Sequence, residues 1–372
     1  MIDSCRTSSV IYYLVFLHIF KFKKNSGIGL QACKLLRLVS PKSRLFLVAR
    51  NREKALQIVD ELNAVFPGYE NISNDNCNNN DNNNNNNNST ISQQHHARKT
   101  LYPMVCDHTS FSSVRNFCEE MKEELDVLAE KEGHHIGIDV MCLNAAILLG
   151  EDAEAQFTED NLELTIQTNY FSPFLIVNNL FDCINVGARV VVTSSGLHAF
   201  ESFGNFEGVI DPKNNSGKIN DGFEMICGTP FDHKKSYAAS KLCVVAFCRE
   251  LDRRLRERNA KAICFTPGLI TTSGLFKHQK QWNETVLKKV GMGMVDTKEW
   301  GGCILAWTVI SDKAAQCGGC YWRASFGISQ RDGKIPDDLF SAPINEEATD
   351  RKNQETLWKI SSALTGTSLK QS

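Results

Sequence analysis

The sequence has no large excess of charge of either sign, no hydrophobic run long enough to span a membrane, and no two Cys-x-x-Cys motifs that could form a zinc site together. Its formal net charge is −2, which leaves no basic footprint for nucleic acid, so we expect no nucleic-acid partner. The apolar run at residues 10–20 has eleven residues, too few to span a bilayer. Because the motif Cys-x-x-Cys occurs once, at Cys317 and Cys320, without a second pair at zinc spacing, we predict no metal site.

The composition is that of a globular protein with one unusual segment. With 372 residues, 42% of them hydrophobic, the chain can bury a large core, and one domain of about 250–300 residues plus additions accounts for its length. Fourteen cysteines lie mostly in apolar segments, which indicates reduced core thiols instead of a disulfide framework. Residues 71–96 are dominated by asparagine and predict a disordered insertion without a chemical role.

Apolar, β-branched segments alternate with helical patterns along most of the chain. Predicted strands lie at residues 10–20, 44–49, 102–106, 138–143, 188–195 and 262–266. The first of these could instead be a signal-peptide core or sequence from an incorrect gene start; we expect no targeting segment before the domain. The alternation predicts an α/β fold, with a single doubly wound parallel sheet of the Rossmann type and helices on both faces.

Polar and small residues follow several of these strands. Ser194 and Ser195 end one strand, the residues 144–146 (Asn-Ala-Ala) follow another, and Pro267-Gly268 follows a third. Ligands bind at the carboxyl ends of the strands in an open parallel sheet. We therefore expect a binding site where these segments meet.

Tyr237 and Lys241 are the most informative pair in the sequence. Four residues apart on a helix, they lie on one face, where an ammonium would favour the ionised form of the phenol and lower its pKa. The pair is therefore a candidate proton-transfer device. The same spacing also occurs by chance on ordinary surface helices, so evidence for a catalytic role has to come from the surrounding segments.

In their order, these segments resemble the short-chain dehydrogenase/reductase family from about residue 25 to residue 272. The family pattern is a glycine-rich turn, Asn-Ala-Gly, Asn, Ser, Tyr-x-x-x-Lys and Pro-Gly, and this chain has Asn-Ala-Ala at the second element. The resemblance implies an NADPH- or NADH-dependent oxidoreductase that acts on a small molecule.

The resemblance also implies a role for each catalytic residue. Ser195 would orient the reacting group, with Ser194 as the alternative, and Tyr237 would donate the proton. Lys241 would lower the pKa of the tyrosine and hold the nicotinamide ribose. Asn169, in a helical stretch from about residue 161 to 180, would anchor a water relay to the lysine, although a mid-helix asparagine is usually an exposed or neutral choice.

The glycine turn is the expected pyrophosphate site. Ser26, Gly27, Ile28 and Gly29 precede an amphipathic helix, whose N-terminal N–H groups would meet the pyrophosphate. The first glycine of the family pattern is missing, since Lys23 stands in its place. Lysine reaches positive φ less easily than glycine does.

The end of the second strand favours NADPH over NADH. Arg50 and Lys54 are candidates for the 2′-phosphate, whereas an acidic residue there would hold a free 2′-hydroxyl; an ordinary solvated helix start is the alternative. Asp107 matches the family's adenine-contacting aspartate, although an aspartate that caps a loop would look the same. The other expected cofactor contacts are Asn144, Ala145, Ala146, Tyr237, Lys241, Pro267, Gly268 and Thr272.

Four segments are similar to one group within the family, the light-dependent NADPH:protochlorophyllide oxidoreductases: residues 231–243, 266–276, 317–322 and 357–366. This resemblance implies light-driven hydride transfer, a proton from Tyr237 or water, and a chloroplast location. Leu269 replaces that group's active-site cysteine. A dark reductase of an apolar carbonyl or polyene, and a decayed homologue without activity, therefore stay open.

Two further segments are expected on the substrate side. The long spacing between the serine and the tyrosine predicts an insertion at residues 196–236, and residues 277–372 would form a lid and a C-terminal extension. Within the latter, residues 277–290 predict either a mobile lid or an amphipathic core helix. Peripheral membrane association and a homo-oligomer stay open from the sequence.

Overall fold

The protein is described here from a computed structural model, which covers residues 27–66, 100–203, 231–276, 278–279, 295–323 and 340–367, and the backbone of 13–17. The strands are β1 Tyr13–Leu17, β2 Arg44–Ala49, β3 Leu101–Val105, β4 Ile138–Leu143, β5 Ile184–Thr193, β6 Lys261–Phe265, β7 Tyr321–Arg323 and β8 Phe340–Ser341. The α-helices are α1 Ile28–Val39, α2 Arg52–Val65, α3 Phe111–Glu132, α4 Leu164–Ile166, α5 Ser172–Asn179, α6 His233–Arg254, α7 Lys298–Ile310, α8 Asp312–Ala315, α9 Glu346–Thr349 and α10 Arg351–Thr365.

The eight strands form one sheet in the order β3-β2-β1-β4-β5-β6-β7-β8. All neighbouring pairs are parallel except β7 and β8, which are antiparallel. The strand order reverses between β1 and β4, and this switch point is where a crevice opens outside the carboxyl ends of a doubly wound sheet. The predicted fold class is confirmed.

Helices cover both faces of the sheet. On one face α3, α5, α6 and α10 pack around aromatic side chains such as Phe174, whose ring centroid lies 4.9 Å from that of Trp358. On the other face α1, α2 and α7 form the second core. There α7 approaches α1 closely, because a Cβ on Gly302 would lie 3.0 Å from the Ala32 backbone nitrogen.

The predicted helix at residues 161–180 is interrupted. A π-helical turn, Gln167–Phe171, separates α4 from α5. Pro173 lacks the N–H that would bond the carbonyl of Asn169 in a continuous α-helix, which explains the wider turn. Asn169 lies in this turn and is only 2% exposed, so the exposed alternative for a mid-helix asparagine does not describe it.

Two cysteines depart from the expectation of reduced thiols. Cys317 and Cys320 form a disulfide, whereas nine other cysteines in the described residues are free. Within the same residues, no helix is long and apolar enough to cross a membrane. Several predictions fall outside the described residues: the insertion at 71–96, Lys23 and Ser26 of the glycine turn, most of the substrate-side insertion, and nearly all of the segment 277–290.

Candidate active site

A cavity of about 760 Å³ opens at the carboxyl edge of the sheet. Its wall is built from the turn before α1, the segments that follow β4, β5 and β6, one face of α6, and the start of β7. The predicted site residues in this wall are Gly27, Ile28, Gly29, Asn144, Ala145, Ala146, Ser194, Ser195, Tyr237, Lys241, Pro267 and Gly268. The structure therefore brings together most of the residues that the sequence singled out.

The phenol of Tyr237 lies in this wall beside Ser195. Burial raises the pKa of Tyr237 to about 12, and a hydrogen bond with the Ser195 side chain opposes that shift. Ser195 also caps the short turn that follows it, since its Oγ accepts from the Leu197 N–H at 3.3 Å. The alternative serine is turned elsewhere, because the Ser194 hydroxyl donates to the Lys241 carbonyl at 3.3 Å. This geometry favours Ser195, whose catalytic role stays a prediction.

Lys241 is buried one helical turn beyond Tyr237. Its Nζ donates to the Thr193 carbonyl at 2.9 Å and lies 5.6 Å from the centroid of the Tyr237 ring. Burial lowers the pKa of Lys241 to about 7. The expected lowering of the tyrosine pKa by this lysine is absent here: both groups are buried, burial disfavours both charged forms, and the ammonium is bonded to a carbonyl.

Asn169 ties the segment after β4 to helix α6. Its Oδ1 accepts from the Ile147 N–H at 2.7 Å, and its Nδ2 donates to the Ile147 carbonyl and to Ser240 Oγ, both at 3.0 Å. Ser240 in turn donates to the Tyr237 carbonyl at 2.6 Å. The asparagine side chain thus links two parts of the cavity wall, while the water relay stays a prediction.

Glu163 is a residue that the sequence analysis missed. It is fully buried, and one carboxylate oxygen accepts from the Ile166 N–H at 3.0 Å and from the Ser236 hydroxyl at 2.7 Å. Ser236 directly precedes Tyr237, so this carboxylate holds the first turn of α6 against α4. A glutamate just before an apolar helix start was the available signal, because such a residue can cap the helix.

The turn before α1 is suited to a pyrophosphate. Helix α1 begins at Ile28, and its N-cap Gly27 forms no side-chain capping bond, so no cap side chain covers its first N–H groups. A Cβ on Gly27 would meet nothing within 4 Å, which leaves room for a ligand against the backbone. These groups carry the positive end of the helix dipole.

The predicted adenosine contacts lie apart from this cavity. Arg50, Lys54, Asp107 and Thr272 are not among its lining residues. Lys54 is only 4% exposed, so the alternative of a solvated helix start does not describe it. Asp107 Oδ1 accepts from the N–H and the hydroxyl of Thr109, at 2.9 and 2.8 Å, as a loop-capping aspartate does. The cofactor roles of these four residues stay predictions.

Comparisons with known proteins agree with the fold. The family model described as short chain dehydrogenase matches residues 73–206. A protochlorophyllide reductase of Marchantia paleacea is 26% identical over 280 residues, which cover 70% of this chain and 56% of that protein. These matches make the chain similar to short-chain dehydrogenases and reductases.

A second curated relative of the chain carries a different name. The human WW domain-containing oxidoreductase is 26% identical over 263 residues, which cover 70% of this chain and 54% of that protein. The chain thus spans a little over half the length of these two curated relatives. Among solved structures, a short-chain dehydrogenase/reductase of Mycobacterium marinum has a TM-score of 0.54 at 15% identity, over 86% of this chain and 96% of that one. At this identity the likeness shows the fold alone.

Proposed function

We propose that the chain reduces a bulky, largely apolar molecule with NADPH, and that Tyr237 donates the proton. One observation carries this proposal: the hydrogen-bonded Ser195–Tyr237 pair and the buried Lys241 lie in the wall of the same cavity as the uncapped start of α1. A proton donor and a pyrophosphate-binding turn are thereby combined in one site.

The chemistry follows from the protonation states of the two buried groups. NADPH would supply the hydride, held by the turn before α1, by the segment after β4 and by Lys241. With a pKa of about 12, Tyr237 keeps its proton at neutral pH and can give it to an oxygen or carbon that becomes basic in the transition state. Ser195 would hold the substrate oxygen, and a protonated Lys241 would stabilise the phenolate that remains.

The cavity wall indicates an apolar substrate. Most of the side chains around the polar trio are hydrophobic, and a wall of this kind favours a ligand that loses apolar surface to water on binding. These residues are Leu148, Leu197, Ala199, Phe200, Leu269, Ile270, Leu275 and Phe276. The cavity of about 760 Å³ would hold both the nicotinamide end of the cofactor and the substrate, and its apolar wall supports the proposal of a largely apolar substrate.

Protochlorophyllide is the first specific substrate that we propose, with a chloroplast location. Curated relatives carry the name protochlorophyllide reductase, and residues 266–276, which resemble that group, contribute much of the cavity wall. A dark reductase of an apolar carbonyl or polyene is the second candidate. Leu269 favours it, since this leucine lines the cavity where the light-dependent group has a cysteine.

Illumination distinguishes the two candidates. Purified protein is mixed with NADPH and protochlorophyllide, and chlorophyllide is followed by absorbance in light and in darkness. The light-dependent candidate predicts product only on illumination, with faster turnover in Leu269→Cys. Turnover of an apolar ketone in darkness, without chlorophyllide in light, would support the second candidate. A folded protein that binds no NADPH at millimolar concentration would contradict both and identify a decayed homologue.

A further inference from the structure

A second phenol, that of Tyr321, lies in the wall of the same cavity. Tyr321 begins β7 and is only 2% exposed. Its ring packs edge-on against the His198 imidazole, with the centroids 4.6 Å apart. His198 is itself anchored, because its Nδ1 lies 2.7 Å from the Ser195 carbonyl and must donate to it. The Tyr321 ring is therefore held against the turn that carries the proposed catalytic serine.

The hydroxyl of Tyr321 is not satisfied by the described part of the chain. The Thr266 side chain faces it, yet no described residue forms a hydrogen bond of acceptable geometry with this buried oxygen. A buried hydroxyl without a partner destabilises a fold, so such a group in a cavity wall marks a place where a ligand can supply the bond.

The protonation state of this phenol suits a neutral hydrogen bond. Burial is the main cause that raises the pKa of Tyr321, and the neighbouring Tyr237 adds to it. The hydroxyl therefore stays protonated at every pH at which the protein is handled. It can donate one hydrogen bond and accept another, but it is not needed as a second acid.

The reacting oxygen of a carbonyl substrate has no position left for this donor. A carbonyl oxygen has two lone-pair directions, and in the proposed function Ser195 and Tyr237 occupy both. Tyr321 must then bond a different atom of the substrate.

We propose that Tyr321 is a specificity-determining residue that binds a second oxygen of the substrate. The substrate class is accordingly a bulky apolar molecule with a carbonyl or hydroxyl oxygen besides the group that is reduced. This inference rests on the proposed function for the identity of the reacting group.

Two matched ketones test the inference. Benzil and deoxybenzoin differ in one carbonyl, which is a methylene in deoxybenzoin. We expect the wild type with NADP⁺ to bind benzil about tenfold more tightly, the effect of one hydrogen bond. Tyr321→Phe should remove this preference and leave the affinity for deoxybenzoin unchanged. Both affinities are measured as ligand-induced shifts in the thermal unfolding midpoint, without turnover.

Tyr170→Phe is the control for the loss of a buried phenol. The Tyr170 hydroxyl lies 2.6 Å from Ser361 Oγ, away from the cavity wall. This variant should lower the unfolding midpoint without added ligand and keep the preference for benzil. Tyr321→Phe, by contrast, should leave that midpoint unchanged or raise it, because the deleted hydroxyl has no internal bond to lose.

The outcomes separate the inference from the proposed function. Equal binding of the two ketones by the wild type, a preference retained in Tyr321→Phe, or a clear loss of unliganded stability in that variant would overturn the role of Tyr321. Absence of NADPH oxidation with a preference for benzil that depends on Tyr321 would instead contradict the proposed reduction and leave the oxygen-binding role standing.

Discussion

The reaction side and the adenosine side of the site differ in how far the sequence determines them. On the reaction side, a chain of hydrogen bonds connects Asn169, Ser240 and the backbone of Tyr237, and Ser195 completes the wall. On the adenosine side, Arg50 is exposed and Asp107 caps its own loop, and neither borders the cavity.

The difference comes from the kind of structure that places each group. Tyr237 and Lys241 belong to one helix, so the helical period fixes their relation, and Ser195 follows a buried strand whose end is fixed by the sheet. Arg50 and Asp107 follow strands β2 and β3, and their relation to a ligand depends on side-chain conformations at an open edge. Substitutions on the reaction side should therefore change activity and stability more than substitutions on the adenosine side.

Replacement of the proton donor should have the largest effect. We expect Tyr237→Phe to lower kcat by about 10²–10⁴, because it removes one positioned acid and keeps the ring. NADPH affinity, measured by fluorescence titration, should change less than about threefold. Retention of wild-type kcat would show that water or another group delivers the proton, and the reaction side would lose its central residue.

Replacement of Asn169, which links the two parts of the cavity wall, should have the second largest effect. Asn169→Ala removes three hydrogen bonds of a buried side chain, which should reduce the free energy of unfolding by about 3 kcal/mol, as measured with urea. It should also lower kcat, because the segment after β4 loses its tie to α6.

Asn178→Ala is the matched control for this asparagine. Its side chain donates one bond to the Phe174 carbonyl on α5, at 2.8 Å, and Asn178 is not among the residues that line the cavity. Asn178→Ala should reduce the free energy of unfolding by about 1 kcal/mol and leave kcat unchanged. If both variants lose the same stability and neither loses activity, Asn169 does not organise the site.

The role of Asn169 also shows what sequence reasoning could and could not supply. The strands were predicted because buried parallel strands are continuous β-branched runs, and β2 and β4 begin and end where expected. The environment of Asn169 was missed because helix propensity alone describes a mid-helix asparagine as neutral. Pro173 was the overlooked signal, since a proline four residues later prevents a continuous α-helix.

The pKa values could not be predicted from spacing alone. The helical period places Lys241 next to Tyr237 and suggests a lowered tyrosine pKa, but burial depends on everything that packs around the pair. In the structure that burial dominates and raises the pKa of Tyr237 to about 12. The contact between Glu163 and Ser236 was likewise not predictable, because it joins residues 73 positions apart.

Lys241 gives a test of this burial through the pH dependence of stability. The unfolded chain keeps the lysine proton up to a pKa of about 10.5, whereas the folded protein releases it near 7. Between these values the unfolded state binds more protons, so stability should rise with pH. From pH 7 to 9 we expect a gain of up to about 2 kcal/mol, measured with urea.

Lys241→Met is the reference for this measurement. It should lack the gain between pH 7 and 9, because the titrating group is gone and methionine fills a similar volume. Tyr237 contributes little in this range, since its raised pKa affects stability only above pH 10. An identical pH dependence in wild type and variant would mean that Lys241 is not desolvated, and the contrast between the two sides of the site would weaken.

The smallest effect is expected at the adenosine side, where one exposed cation is the candidate for the 2′-phosphate. Arg50→Ala should raise the KM for NADPH about three- to tenfold and leave that for NADH unchanged, because only NADPH carries the phosphate. Arg52→Ala is the matched control: this arginine begins α2 two residues later, and its guanidinium donates to the Pro103 carbonyl at 3.0 Å. An equal rise in the KM for NADPH in both variants would indicate general electrostatic attraction of the cofactor instead of a specific contact with its 2′-phosphate. No rise in either would place the determinant of cofactor choice elsewhere, and the adenosine side would then depend on residues that its sequence pattern does not reveal.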